Sequence, residues 1–175
     1  MQRTILIFGL ISGLIIVILG YATRPIWMDA GGKMDMSTGE LLGYINMIIA
    51  LSMIFFGVRQ FRDRHLGGKI TFGKAFKVGF LISLVASAIY VLGWMIYYNT
   101  SEVAQSFPAQ YIEHMKEQWL ASGLTPEQIS EKAAGYEKNF ALYENPIIMA
   151  GMTLMEILPV GLLISLISAF ILKRK

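Results

Sequence analysis

Four stretches of the chain are apolar almost without interruption. Residues 4–23, 41–58 and 78–101 contain no charged side chain, and residues 147–172 contain one, Glu156. A helix rising about 1.5 Å per residue needs roughly 20 such residues to cross a hydrocarbon core of about 30 Å. All four runs suffice, the second by recruiting its flanks. Membrane strands would alternate in polarity instead. The pattern predicts an all-α integral membrane four-helix bundle with an outer-side helical hairpin between spans three and four. Its spans fall at about 4–23, 41–58, 76–98 and 147–172, with a loop at 59–75 and a helical segment at 99–146.

Within that last segment the period changes. Tyr111, Ile112, Met115, Trp119 and Leu120 recur at helical spacing, opposite Glu113, Lys116 and Glu117. Gly123 suits a helix stop. Thr125-Pro126-Glu127-Gln128 then puts a cap, a first-turn proline and a capping-box glutamine in register. Ile129, Ala133, Tyr136 and Phe140 form one stripe of a second helix. The two stripes are expected to pack on each other and on the membrane surface, with the hairpin as the candidate site for a protein partner.

Composition agrees with lipid as the solvent. The chain is 55% hydrophobic and 15% charged, where soluble domains carry about 25% charge. Its net charge of +3 is divided by topology. Arg3, Arg59, Arg62, Arg64, Lys69, Lys74, Lys77, Lys173, Arg174 and Lys175 fall on one side of a four-span arrangement. Five basic residues lie on the other side, against ten acids. The basic side is expected to be cytoplasmic, with both termini there. Tyr21, Trp27, Trp94, Tyr97 and Tyr98 fall where an outer interfacial belt would lie. Gly20-Tyr21-Ala22 resembles a cleavage site, but the preceding apolar run exceeds a signal-peptide core and is expected to stay as an anchor. Basic residues spread along a membrane face make no nucleic-acid surface. Without cysteine there is no disulfide or thiolate site. His114 and Glu117 stand one turn apart, half of a metal site at most, so no metal and no cofactor are expected.

Residues 68–75, "GKITFGKA", have the skeleton of a phosphate-binding loop. The residue after its lysine is Ala75, however, where a magnesium-binding Ser or Thr is required, and no α/β domain surrounds it. Nucleotide binding is not expected. Gly67-Gly68 reads as a turn and Thr71 as the cap of the next helix. Arg59, Arg62, Arg64, Lys69, Lys74 and Lys77 become candidates for contact with anionic headgroups, at about 1 kcal/mol each. "FFGVRQFRDRHLGGKITFGKAFKVG", residues 55–79, with "YENP" at 143–146, resembles the domain-of-unknown-function family 4199. The resemblance implies a small four-span bacterial inner-membrane protein, chiefly of the Bacteroidetes group, and brings no catalytic residues.

Glu156 is the one acid within the spans, nine residues into the fourth and about 13 Å deep by helical rise. A charge near the bilayer centre costs about 2.5–3.5 kcal/mol, so the side chain is expected to face the bundle. Pro159 removes a helical hydrogen bond beyond it. Tyr90 reaches a similar depth on the third span, and Asn46 lies shallower on the second. Glu156 reads either as a hydrogen-bonding clamp or as the centre of a proton or cation path. Gly9 and Gly13 form a G-x-x-x-G ridge, and Gly151 and Gly161 are candidate close-approach sites, which support helix packing and, less directly, a homo-oligomer. No nucleophile–base pair stands out. The expectation is a non-enzymatic interaction or accessory component, with a small proton- or cation-coupled transporter as the alternative.

Overall fold

The structure, a computed structural model, describes residues 1–174. They form α1 Gln2–Ala22, α2 Arg24–Trp27, α3 Met36–Leu51, α4 Met53–His65, α5 Phe72–Thr100, α6 Glu102–Gln105, α7 Phe107–Ala121, α8 Pro126–Tyr143 and α9 Pro146–Leu172. No strand occurs among the described residues beyond two isolated bridges, Met28 with Met34 and Ile70 with Arg174. Four helical stretches are long and apolar enough to cross a membrane: α1, α3 continued by α4, α5 and α9. Only 28–39% of each apolar window is buried inside the molecule. Leu10, Leu14 and Ile18 of α1, like Leu163, Ile167 and Phe170 of α9, therefore face outward. Water would penalise such a surface, and lipid does not.

Local chemistry places the helix ends. Asp35 caps α3, its Oδ1 accepting from the Thr38 amide at 3.1 Å. Gly67 and Gly68 turn the chain at φ of +61° and +85°, a backbone region that glycine enters without a Cβ penalty. Ile70 then exchanges two backbone hydrogen bonds with Arg174 at 3.0 and 2.9 Å. Thr71 caps α5 through the Lys74 amide at 3.4 Å. Thr125 and Gln128 complete the capping box of α8. Asn145 accepts from the Ile147 amide at 2.9 Å, with Pro146 opening α9. The P-loop-like stretch and "YENP" are thus turn-and-cap devices.

Two boundaries depart from the apolar pattern. Helix α4 runs to His65, so Arg59, Arg62 and Arg64 ride on its last turns. Absence of charge marks what lipid accepts, whereas arginine is a good helix former; Arg59 and Asp63 even pair at 3.8 Å across one turn. Helices α3 and α4 meet at a break on Ser52, whose hydroxyl donates to the Ile49 carbonyl at 2.7 Å.

Lipid gives helices little hydrophobic reason to associate, so close steric fit must do it. Helix α5 packs on both α1 and α9. A Cβ on Gly9 would lie 2.5 Å from the Val85 Cβ, and one on Gly13 would lie 2.6 Å from the Ile89 Cβ. The α1 ridge is therefore filled by α5 of the same chain and is not free for a second copy. Gly161 meets Ser83 in the same way. Gly151 corrects the sequence expectation: a Cβ there meets nothing within 4 Å, because that face of α9 carries no neighbour. Met47, Leu51, Ile54, Val58, Val78, Ile82 and Ile157 are fully buried and fill the middle of the bundle.

At the opposite end from the 66–71 turn, α7 and α8 form the hairpin. Ile112, Trp119 and Ala133 make its centre, with Met115, Ile129, Tyr136 and Phe140 around them. Leu120 departs from its expected place and is 65% exposed. One residue beyond Trp119 turns about 100° around the helix and leaves the stripe.

Candidate functional site

Helix α4 packs against α1, α5 and α9, whereas α3 packs against α1 and α9 and scarcely touches α5. The space left at the hairpin end is a cavity of about 390 Å³. Gly20, Gly39, Gly43 and Gly93 all line it. A Cβ on Gly20 or Gly43 would meet nothing within 4 Å, whereas one on Gly39 would lie 3.0 Å from Trp27 and one on Gly93 2.9 Å from Val17.

Glu156 of α9 and the half-buried Tyr90 of α5 line it together, with the Tyr90 hydroxyl donating to Glu156 Oε2 at 3.4 Å. Glu156 borders the cavity but stays exposed, where the sequence placed it inside the bundle. Nearby, the buried Asn46 side chain donates from Nδ2 to Thr23 Oγ1 at 3.0 Å, tying α3 to the end of α1. Tyr21, Trp27, Trp94 and Tyr97 build the walls, and Phe107, Tyr111 and Tyr143 from the hairpin segment build the roof. The Arg24 guanidinium carbon lies 4.5 Å from the Tyr21 ring centre and 4.1 Å from that of Tyr97. Glu40 of α3 lines the same space.

The roof is anchored to the bundle. Trp94 Nε1 donates to the Tyr143 hydroxyl. The Thr153 hydroxyl donates to the Met149 carbonyl at 2.8 Å, which leaves Tyr143 as donor to Thr153 at 3.3 Å. Burial pushes the Tyr143 hydroxyl above its usual pKa, with the Thr153 and Trp94 hydrogen bonds opposing the shift. Burial likewise raises Tyr111, helped by Tyr136 and Glu40. Gln110 latches the rim: its Oε1 accepts from the Met34 amide at 2.8 Å, and its Nε2 donates to the Gly32 carbonyl at 2.9 Å.

Of the residues singled out from sequence, Glu156, Tyr90 and Asn46 come together around the cavity. Pro159 does not: it is exposed on α9 outside the lining, and the helix runs through it unbroken. Arg59, Arg64, Lys69, Lys74 and Lys77 are exposed toward the other end. Arg62 differs from them. It is 7% exposed, with Nε donating to Asp63 Oδ1 at 2.7 Å and Nη1 to the Leu172 carbonyl at 3.4 Å. It serves the C-terminal carbonyls of α9, where a cation suits the helix dipole, and is not offered to headgroups. His114 bonds Gln118 at 2.9 Å; among the described residues no three His, Asp or Glu side chains gather for a metal.

Arg24, Glu40 and Tyr143 belong to the cavity and were not foreseen. Tyr21, Trp27, Trp94 and Tyr97 had the signature of an interfacial belt. The signal that separates the two readings is Gly20 and Gly43 at the same level, where no side chain fills the space the rings line.

The family described as protein of unknown function (DUF4199) matches residues 7–174 of the chain. No curated protein and no solved structure matches it.

Proposed function

We propose that this chain, which belongs to the DUF4199 family, is a non-enzymatic accessory protein of the bacterial inner membrane that binds a small molecule in the cavity between α1, α3, α5 and α9. The observation that carries this reading is the cavity itself. About 390 Å³ falls within the roughly 300–1,000 Å³ usual for small-molecule sites, and mostly apolar walls with a few convergent polar groups are their common chemistry. The basic end then faces the cytoplasm, with Lys69, Lys74 and Lys77 at the surface, and the hairpin end faces outward.

The hairpin acts in this reading as the roof of a ligand site. Its two apolar stripes cover each other, so a partner protein would meet the outer faces, where Leu120 and Leu142 are the exposed large apolar residues. Coupled transport is the weaker reading. Beneath Glu156 the fully buried layer of Met47, Leu51, Ile54, Ile82 and Ile157 would have to part before anything passed.

The test is thermal unfolding of the purified protein against a panel of small amphipathic compounds, in wild type and in Gly43→Leu. A stabilising compound should lose its effect when the leucine side chain fills the cavity. Equal stabilisation of both proteins would place the ligand elsewhere and sink the proposal.

A further inference from the structure

The cavity's charges and rings point to the class of ligand. Two carboxylates, Glu40 and Glu156, line it together with one guanidinium, Arg24. Neither carboxylate has an ion-pair partner among the described residues. The guanidinium is held instead by π-faces, between Tyr21 at 4.5 Å and Tyr97 at 4.1 Å. Ring faces carry partial negative charge and attract cations, most effectively where water is excluded. Arg24 therefore demonstrates, within the chain, what these walls accept, and it leaves Glu156 on the same lining without a counter-ion. An anion entering the same space would meet two carboxylates and several ring faces, opposed by one guanidinium already engaged with two rings.

We propose that the cavity takes a small organic ammonium ion, its charge set against Glu156 and its alkyl shell against the rings of Tyr90, Trp94 and Tyr143. This rests on the reading of the cavity as a ligand site. Tyr90 takes part by donating to Glu156 Oε2, which leaves the other carboxylate oxygen for the ligand. Glu40 adds a second negative charge to the lining and Tyr111 part of the roof.

The experiment compares choline with 3,3-dimethylbutan-1-ol, which has carbon in place of the ammonium nitrogen, and with the anion 3,3-dimethylbutanoate. Tryptophan emission is the readout, because Trp27 and Trp94 line the cavity. Trp119 sits in the hairpin core, so Trp119→Phe removes its background. Choline should shift the emission saturably, with the neutral alcohol binding at least about tenfold more weakly. Glu156→Gln keeps an acceptor for Tyr90; it should weaken choline by a similar factor and leave the alcohol unchanged. An alcohol or anion that binds as well as choline, or a choline affinity untouched by Glu156→Gln, would overturn the ammonium assignment while leaving a ligand site. A saturable response to none of the three probes would overturn both. The wild-type comparison needs no variant, so a folding failure in Glu156→Gln would leave the test intact.

Discussion

The contact between Gly161 on α9 and Ser83 on α5 sets how closely the two helices that carry Glu156 and Tyr90 approach. A Cβ built on Gly161 would overlap Ser83 Oγ and stand 2.9 Å from Ser83 Cβ. The hydroxyl can rotate away, but the Cβ is fixed to the backbone, so Gly161→Ala forces the helices apart. Overpacking of this kind costs about 1–3 kcal/mol, partly offset by up to about 1 kcal/mol of helix propensity gained over glycine. Gly151→Ala, ten residues earlier on the same helix, gains that propensity with nothing within 4 Å to strike. Propensity cancels between the two variants, so their difference isolates the collision and should be about 1–3 kcal/mol. Ser83→Gly removes the obstructing atoms, and in combination with Gly161→Ala should recover stability beyond the sum of the single changes. The buried Ser83 hydroxyl has no hydrogen-bond partner, so its loss breaks no bond. Reversible unfolding in mixed micelles, followed by circular dichroism, gives all four stabilities and the coupling energy. Gly161→Ala and Gly151→Ala of equal stability would refute the packing account. A Gly161→Ala protein that folds with a wider seam should also respond more weakly to any cavity ligand.

Other consequences are equally open to measurement. Arg62→Met should lower stability by about 1.5–3 kcal/mol, the usual worth of hydrogen bonds to a charged group, and speed amide exchange in the last turn of α9, because the Leu172 carbonyl loses its Arg62 donor and Asp63 is left with Arg59 alone. Tyr143→Phe removes the link from Trp94 to Thr153 and should cost about 1–2 kcal/mol, with Trp94 emission shifting to the red as the roof loosens. Hydrogen bonds from the Thr38 hydroxyl and amide hold the Asp35 carboxyl below its ordinary 3.8. The cap's contribution is therefore complete above that pH and lost as pH falls through the lower folded value; Thr38 amide protection should drop there in wild type and hold level in Asp35→Asn. In sealed liposomes, wild type and Glu156→Gln should give the same proton flux. A flux present only in wild type would show that the buried layer beneath Glu156 does part.

The sequence by itself determined the features that act over a turn or two of chain. Four apolar runs became four spanning stretches, and Thr71, Thr125 with Gln128, and Gly67-Gly68 did in the structure what their local chemistry requires. The stripes of Ile112, Trp119, Ala133 and Tyr136 found each other because a hairpin in water has a contrast between polar and apolar faces to exploit. Within the spans that contrast is missing. A helix apolar all round gives no hydropathic preference for its rotation or its neighbours, so those are decided by pairwise steric fit between residues far apart in the chain. Only the tertiary structure could therefore separate Gly161, which meets Ser83, from Gly151, which meets nothing. It alone brought Tyr90 to Glu156 across 66 positions, laid Arg24 between Tyr21 and Tyr97, and turned Arg62 inward. The same limit explains why Trp27, Trp94 and Tyr97 read as an interfacial belt. Aromatic rings at that depth suit a headgroup boundary and a cavity wall equally, and the difference lies in whether α3 packs against α5 or leaves it.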